Sequence, residues 1–165
     1  MATIRLTKGG EDIANLLLNV NKAADAIGKI ATYEGAKVIA DGIRQSIGSL
    51  VVDTPRWLND GDYYSVIVRQ DKEDLANALG IAEITKDEDG VRTVIGFAGY
   101  GRHKTKKYPK GLPMPMIARS VENGSSVRRA SPFVRPVVSA KRKAARAAMA
   151  KAGNEAIQKL IKEKG

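Results

Sequence analysis

The sequence predicts an α+β chain, with a long N-terminal helix, a small antiparallel sheet carrying a hairpin at 81–97, and a long C-terminal helix. Three observations predict it. Apolar residues recur at helical spacing across residues 11–48. Two alternating, β-rich runs flank an acidic turn ending in Asp89-Gly90. From about residue 132 to 162 an alanine-, lysine- and arginine-rich segment keeps an apolar stripe. A length of 165 residues suits one domain spanning 1–165, and 43% hydrophobic residues are enough for a packed core. With aromatics at only 5%, small aliphatic side chains must do much of that packing.

In the first helix, Glu11 and Asp12 follow Gly9-Gly10, placing negative charge where the helix dipole favours it. Ile13, Leu16, Leu17 and Val20 open the apolar stripe, Ala24, Ile27 and Ala31 continue it, and Ala36, Ala40, Ile43 and Ile47 complete it. Asn19 and Asn21 mark a place for a break. Gly28, Gly35 and Gly42 fall seven residues apart, on nearly one face. Each costs a helix about 1 kcal/mol relative to alanine. Two readings stay open: another backbone approaches that face closely, or the helix is irregular.

Residues 49–70 are the hardest to read. Asp53-Thr54-Pro55 marks a turn or a short helix start, Asn59 to Asp62 a turn, and Tyr63 to Val68 a strand. A short helix follows from Asp71, its expected cap, through Leu79, with Gly80 as its stop. In the hairpin, Ile81 to Thr85 and Val91 to Phe97 are the strands and Lys86 to Gly90 the turn. Residues 99–115 hold three prolines and three glycines and read as a loop. Met116 to Val121 reads as a helix ending near Asn123-Gly124. A second loop, 125–131, leads to the last helix, with Pro136 in its first turn. Its stripe is Val138, Ala145, Met149, Ala152, Ala156 and Leu160; Lys141, Arg142, Lys143, Arg146 and Lys151 surround it.

Charge is unevenly spread. The net charge is +10: residues 1–100 carry 11 basic and 15 acidic side chains, and residues 101–165 carry 17 basic and 3 acidic ones. Such polarity points to a negative partner, whether nucleic acid, a membrane surface or an acidic protein, or else to a plain solvated surface. The first residues lack the apolar core of a signal peptide. No run of 18 apolar residues is present, so no segment is expected to span a membrane, and a membrane is not among the expected partners.

No catalytic constellation is visible, and the chain reads as no enzyme. There is no cysteine, and the single histidine, His103, sits in a lysine-rich loop, so the common zinc sites have no ligands. A Walker A loop, a Gly-x-Gly-x-x-Gly run and a Gly-x-Ser-x-Gly elbow are all missing. Asp87-Glu88-Asp89 lacks the ligand spacing of a calcium loop and reads as an acidic turn. No cofactor is expected. Lys104, Lys106, Lys107 and Lys110 alternate with Tyr108 and prolines, a pattern that suits either a phosphate backbone or an acidic neighbouring protein.

One ordered set of motifs carries a resemblance. It runs through Gly96-Phe97-Ala98-Gly99-Tyr100, then Lys104-Thr105-Lys106-Lys107-Tyr108-Pro109-Lys110-Gly111, then Met116 to Ser126 with its Glu122-Asn123-Gly124-Ser125 turn, and ends at Ser131-Pro132-Phe133-Val134-Arg135-Pro136. Together these resemble a tailed-phage family of tail-completion, neck or head–tail joining proteins related to minor tail protein Z of lambda. The likeness is strongest over the central third of the chain. Residues 74–80 replace the family's usual Thr-Gly-x-Leu, Val137-Val138 stands where Pro-Ala is usual, and residues 49–70 look like an insertion.

The resemblance implies a small twisted antiparallel sheet with helices packed on it. It also implies a virion structural protein, assembled in the host cytoplasm, that forms a ring of six copies at the head–tail junction. Its implied partners are further copies of itself, neighbouring neck or connector proteins, and tail-tube or tail-terminator proteins. DNA would pass through its channel without sequence-specific binding. The expected interaction residues are Lys104, Lys106, Lys107, Tyr108, Lys110, Arg128, Arg129 and Arg135. Phe133, Pro132, Pro136 and Gly124 are the expected structural anchors. The alternative reading is a basic nucleic-acid-binding module, supported by the Lys/Arg-rich last helix.

Overall fold

A computed structural model describes residues 8–52, 67–88, 90–102, 104–126 and 128–164. Two long helices dominate: α1 (Lys8–Ser49) and α4 (Arg135–Lys164). Between them come α2 (Arg69–Ala78), strands β1 (Leu79–Ile81), β2 (Thr85–Asp87), β3 (Gly90–Arg92) and β4 (Ile95–Phe97), and α3 (Met114–Asn123). The mixture is α+β and mostly helical. No described helix is long and apolar enough to cross a membrane.

The α1 helix runs through Asn19 and Asn21 without a break. It packs antiparallel against α4, the most extensive pairing in the molecule. The glycine repeat belongs to that packing. A Cβ on Gly42 would lie 2.7 Å from the Val137 Cγ1, and one on Gly35 would meet the Met149 side chain and stand 3.4 Å from the Ala145 carbonyl oxygen. The α4 helix thus sits too close to α1 for any side chain there. Gly28 faces β3 instead, 3.2 Å from Val91 by the same construction. Close approach thus accounts for Gly35 and Gly42 and less tightly for Gly28, but what comes close is mainly side chains; only at Gly35 is a backbone atom, the Ala145 oxygen, among the neighbours.

The core gathers at the C-terminal end of α1 and the N-terminal end of α4. Ile47, Ile67, Leu75 and Phe133 are fully buried there, with Met114 and Val121 almost so. The Phe97 and Phe133 rings meet edge-on, with centroids 5.9 Å apart. The first part of the expected α1 stripe does not join this core. Leu17 is 63% exposed and Ala24 is exposed, because among the described residues no element covers that stretch beyond its packing on α4 and the β2–β3 turn. Along α4, Ala145 is buried, Val138, Ala152, Ala156 and Leu160 are half-buried, and Met149 is exposed.

The β region departs from a single long hairpin. β1 pairs antiparallel with β4, with Gly80 opposite Gly96; β2 pairs with β3, with Lys86 opposite Val91. Between the two ladders the register slips by one residue, leaving an extra residue on the first strand. Thr93 Oγ1 donates to the Ala82 carbonyl across this offset, at 2.7 Å. The first strand also starts earlier than expected. Leu79 has extended dihedrals (φ −71°, ψ 121°), so the chain passes from α2 into β1 with no linker, and Gly80 serves as a strand residue rather than a helix stop.

Two helix starts also differ from expectation. Asp71 is not the cap of α2: the helix begins at Arg69, and its cap position is held by Val68, which makes no side-chain cap hydrogen bond. Asp71 lies in the first turn, where negative charge is favoured, and is only 7% exposed. α3 begins at Met114 rather than Met116, because Pro115 falls in the first turn, where its missing N–H is no loss. The readings at 53–55, 59–62 and 63–66 lie outside the described residues, as do His103 and Asp89. Of the expected 63–68 strand, Ile67 makes only an isolated bridge to Val52.

Candidate functional site

The lysine segment is an ordered hairpin-like loop. At its base Tyr100 bridges Pro113, the Gly101 N–H donates to the Leu112 carbonyl at 2.8 Å, and the Met114 N–H donates to Gly99 at 3.0 Å. Near its tip Thr105 and Tyr108 exchange backbone hydrogen bonds at 3.2 and 3.1 Å. Gly111, at φ 107°, lets the returning strand approach the Gly101 carbonyl more closely than a Cβ would allow. Sequence reasoning expected a loop here and gets one, but with a defined shape.

Arg102 fixes that loop to α2. Its Nε donates to Asp74 Oδ1 at 2.7 Å and its backbone N–H to Asp74 Oδ2 at 2.8 Å. Its guanidinium also reaches Glu73 at 2.9 Å. The Asp74 side chain is largely buried, so one end of this clamp is held rigidly. Above it Lys104, Lys106, Lys107 and Lys110 are exposed, and none makes an ion pair among the described residues. Tyr108 is half-buried. Its hydroxyl lies 3.8 Å from the Met116 sulfur, and the Lys107 ammonium stands 5.6 Å from its ring centroid. Five of the eight expected interaction residues therefore share one clamped, cationic projection.

The three arginines divide differently. Arg128 turns inward: its guanidinium lies 3.6 Å from Asp71, and both side chains are largely buried. Arg135 donates through Nε to Glu122 Oε1 at 3.0 Å and through the guanidinium to Asn123 Oδ1 at 3.1 Å. Arg129 alone of the three is exposed without such a partner among the described residues.

Glu122 is the residue that sequence reasoning undervalued. Its carboxylate accepts the backbone N–H groups of Phe133 (2.7 Å), Val134 (2.8 Å) and Arg135 (3.0 Å), which are the otherwise unpaired donors at the start of α4. A side chain on α3 thus caps α4 across the 124–131 loop. Burial pushes the carboxyl pKa up, but the Val134, Arg135 and Phe133 amides and the Arg135 guanidinium outweigh it and hold the group below its usual range. Gly124 turns the chain out of α3 at φ 81°; a Cβ there would lie 2.9 Å from the Ala130 nitrogen. Phe133 is fully buried directly after this turn, while Pro132 and Pro136 are exposed on either side of it.

A signal for Glu122 does exist in the sequence. It is one of only three acids after residue 100, and it lies on the same helical face as Met114, Ala118 and Val121. Arg102 has no comparable local signal, because its partners lie 28 and 29 residues earlier. Comparison with family models, curated proteins and solved structures gives no match for this chain.

Proposed function

We propose that the chain is a non-enzymatic virion structural protein of a tailed phage, forming a ring at the head–tail junction that completes the tail and joins it to the head connector. The observation that carries this reading is the clamped lysine hairpin. Four cations without an ion pair among the described residues, with half-buried Tyr108 beside them, extend from a rigid base, on the same residues that carry the family resemblance. Loops held this way on a scaffold commonly make the contacts of an assembly. A ring also needs two different surfaces on each subunit, and a chain with 15 acidic side chains in residues 1–100 and 17 basic ones in residues 101–165 has the charge to give them opposite sign. In this reading the hairpin meets an acidic patch on a neighbouring copy or on the adjacent neck layer. Electron microscopy of particles assembled without the chain tests the role. The expected result is full heads beside uncompleted tails that fail to join; normal virions would refute it.

One observation favours a second reading, a sequence-blind nucleic-acid-binding module. Lys141, Arg142, Lys143 and Arg146 on α4 are exposed and make no ion pair among the described residues. Gel shifts with unrelated duplexes separate the readings. The ring reading expects weak binding that vanishes at physiological salt, since counterion release dominates phosphate contacts. Tight binding that persists there would favour the second.

A further inference from the structure

Away from the core, α1 and α4 continue as a two-helix arm with an open groove along it. Ala23, Ile27 and Ile30 line one side, and Ala152, Ala156 and Leu160 the other. Ile30 is 49% exposed, and Leu17 and Leu18, nearer the arm's tip, are 63% and 55% exposed. So much apolar surface on a long helix pair marks a contact site. The charges bordering the groove indicate what covers it.

Lys151, Glu155, Lys159 and Glu163 all border the groove and follow one another at four-residue steps, in alternating sign. Within the helix, among the described residues, they make two loose pairs, Lys151–Glu155 and Lys159–Glu163, each at 3.8 Å. Such exposed pairs contribute little on their own. Reversing the helix about position 157 sets Lys151 against Glu163 and Glu155 against Lys159. An antiparallel copy of this row is therefore complementary to it at every position. The alanine row beside it is shallow enough for a second helix to approach closely.

We infer that the arm is a two-fold self-association surface, on which the α1–α4 arm of a second copy packs antiparallel to form a four-helix bundle. A two-fold contact uses the same patch on both copies, whereas a ring propagates through two different ones. The arm contact is thus separate from the ring reading, and it shares no residue with the lysine hairpin.

Light scattering on the full chain, with two charge-row variants, tests the inference. Away from the particle the wild type is expected at twice the subunit mass, or at twice the mass of a ring where rings form in solution. Lys151→Glu with Lys159→Glu makes the row wholly acidic, and Glu155→Lys with Glu163→Lys makes it wholly basic. Each variant alone should self-associate more weakly by about tenfold or more, because like charges then oppose one another. Mixing the two variants should restore the dimer, a recovery that mere loss of helix stability cannot produce; circular dichroism checks that both stay folded. A wild type that is monomeric at every concentration, with the groove left empty or covered by its own chain, would overturn the inference. So would variants that associate as the wild type does, or a mixture that stays monomeric. A six-fold mass unchanged in both variants would sink the arm pairing while leaving the ring reading intact.

Discussion

The two ends of α1 are built from similar residues and have different fates. Near its C-terminus Ile43 and Ile47 are 3% and 0% exposed, enclosed by α2, α3, α4 and the β1–β4 pair. Near its N-terminus Leu17 and Leu18, on the same continuous helix, face solvent. Apolar periodicity is present in both halves, so periodicity alone does not say which half is core. What separates them is whether other elements return to cover the face. At the core end, the α3–α4 connection brings Phe133 back beneath the sheet. At the arm end, α4 packs on one side of α1 only.

The largest test of that difference is Phe133→Ala. Phe133 is fully buried against Phe97, and its removal is expected to destabilise the fold by about 3–5 kcal/mol in urea denaturation. Leu17→Ala, at the arm end, should change stability by less than about 0.5 kcal/mol. Equal effects from the two would erase the distinction between core and arm.

Glu122→Gln probes how the core end is closed. It keeps the shape but removes the charge that three amides and Arg135 share, at an expected cost of about 1–3 kcal/mol. The pH dependence has a definite sign. A carboxyl whose pKa is held down in the folded state contributes stability above its unfolded pKa of about 4.3 and loses it as pH falls through the folded value. The advantage of the wild type over Glu122→Gln should therefore be full near neutrality and shrink on acidification. A gap independent of pH would show that the charge is not what the amides use.

The α1 glycines offer a smaller effect with a change of sign. Gly42→Ala places a methyl against the stiff Val137 side chain and should destabilise by about 1–2 kcal/mol, although alanine is the better helix former. A Cβ added at Gly48 meets nothing within 4 Å among the described residues, so Gly48→Ala should stabilise by up to about 1 kcal/mol. Thermal melts of the two variants decide it, and stabilisation by both would mean that α1 and α4 are not tightly apposed.

Smallest in stability, though not in function, is serine replacement of Lys104, Lys106, Lys107 and Lys110. All four are exposed and unpaired among the described residues, so the fold should change by less than about 0.5 kcal/mol while head–tail joining fails. Normal infectious titres with a normal melt would remove the hairpin from the proposed contact.

The elements themselves were legible in the sequence, because they depend on local patterning. Helical spacing located α1 and α4, the Asp-Gly turn located the β region, and the proline and glycine content located a loop at 99–115, of which 114–115 belong to α3. The seven-residue glycine spacing raised close approach to α1 as one of two readings, the other being an irregular helix. Features that depend on residues far apart in the chain were decided by tertiary structure alone. Which neighbour approaches the glycines, the one-residue slip between the β ladders, the Arg102 clamp on Asp74 and the Arg128–Asp71 pair all join distant segments. Charge composition showed an excess of basic residues after residue 100. Only the fold could assign Arg128 and Arg135 to internal carboxylates and leave the four loop lysines facing outward, because a carboxylate's reach depends on where the backbone places it and not on its position in the sequence.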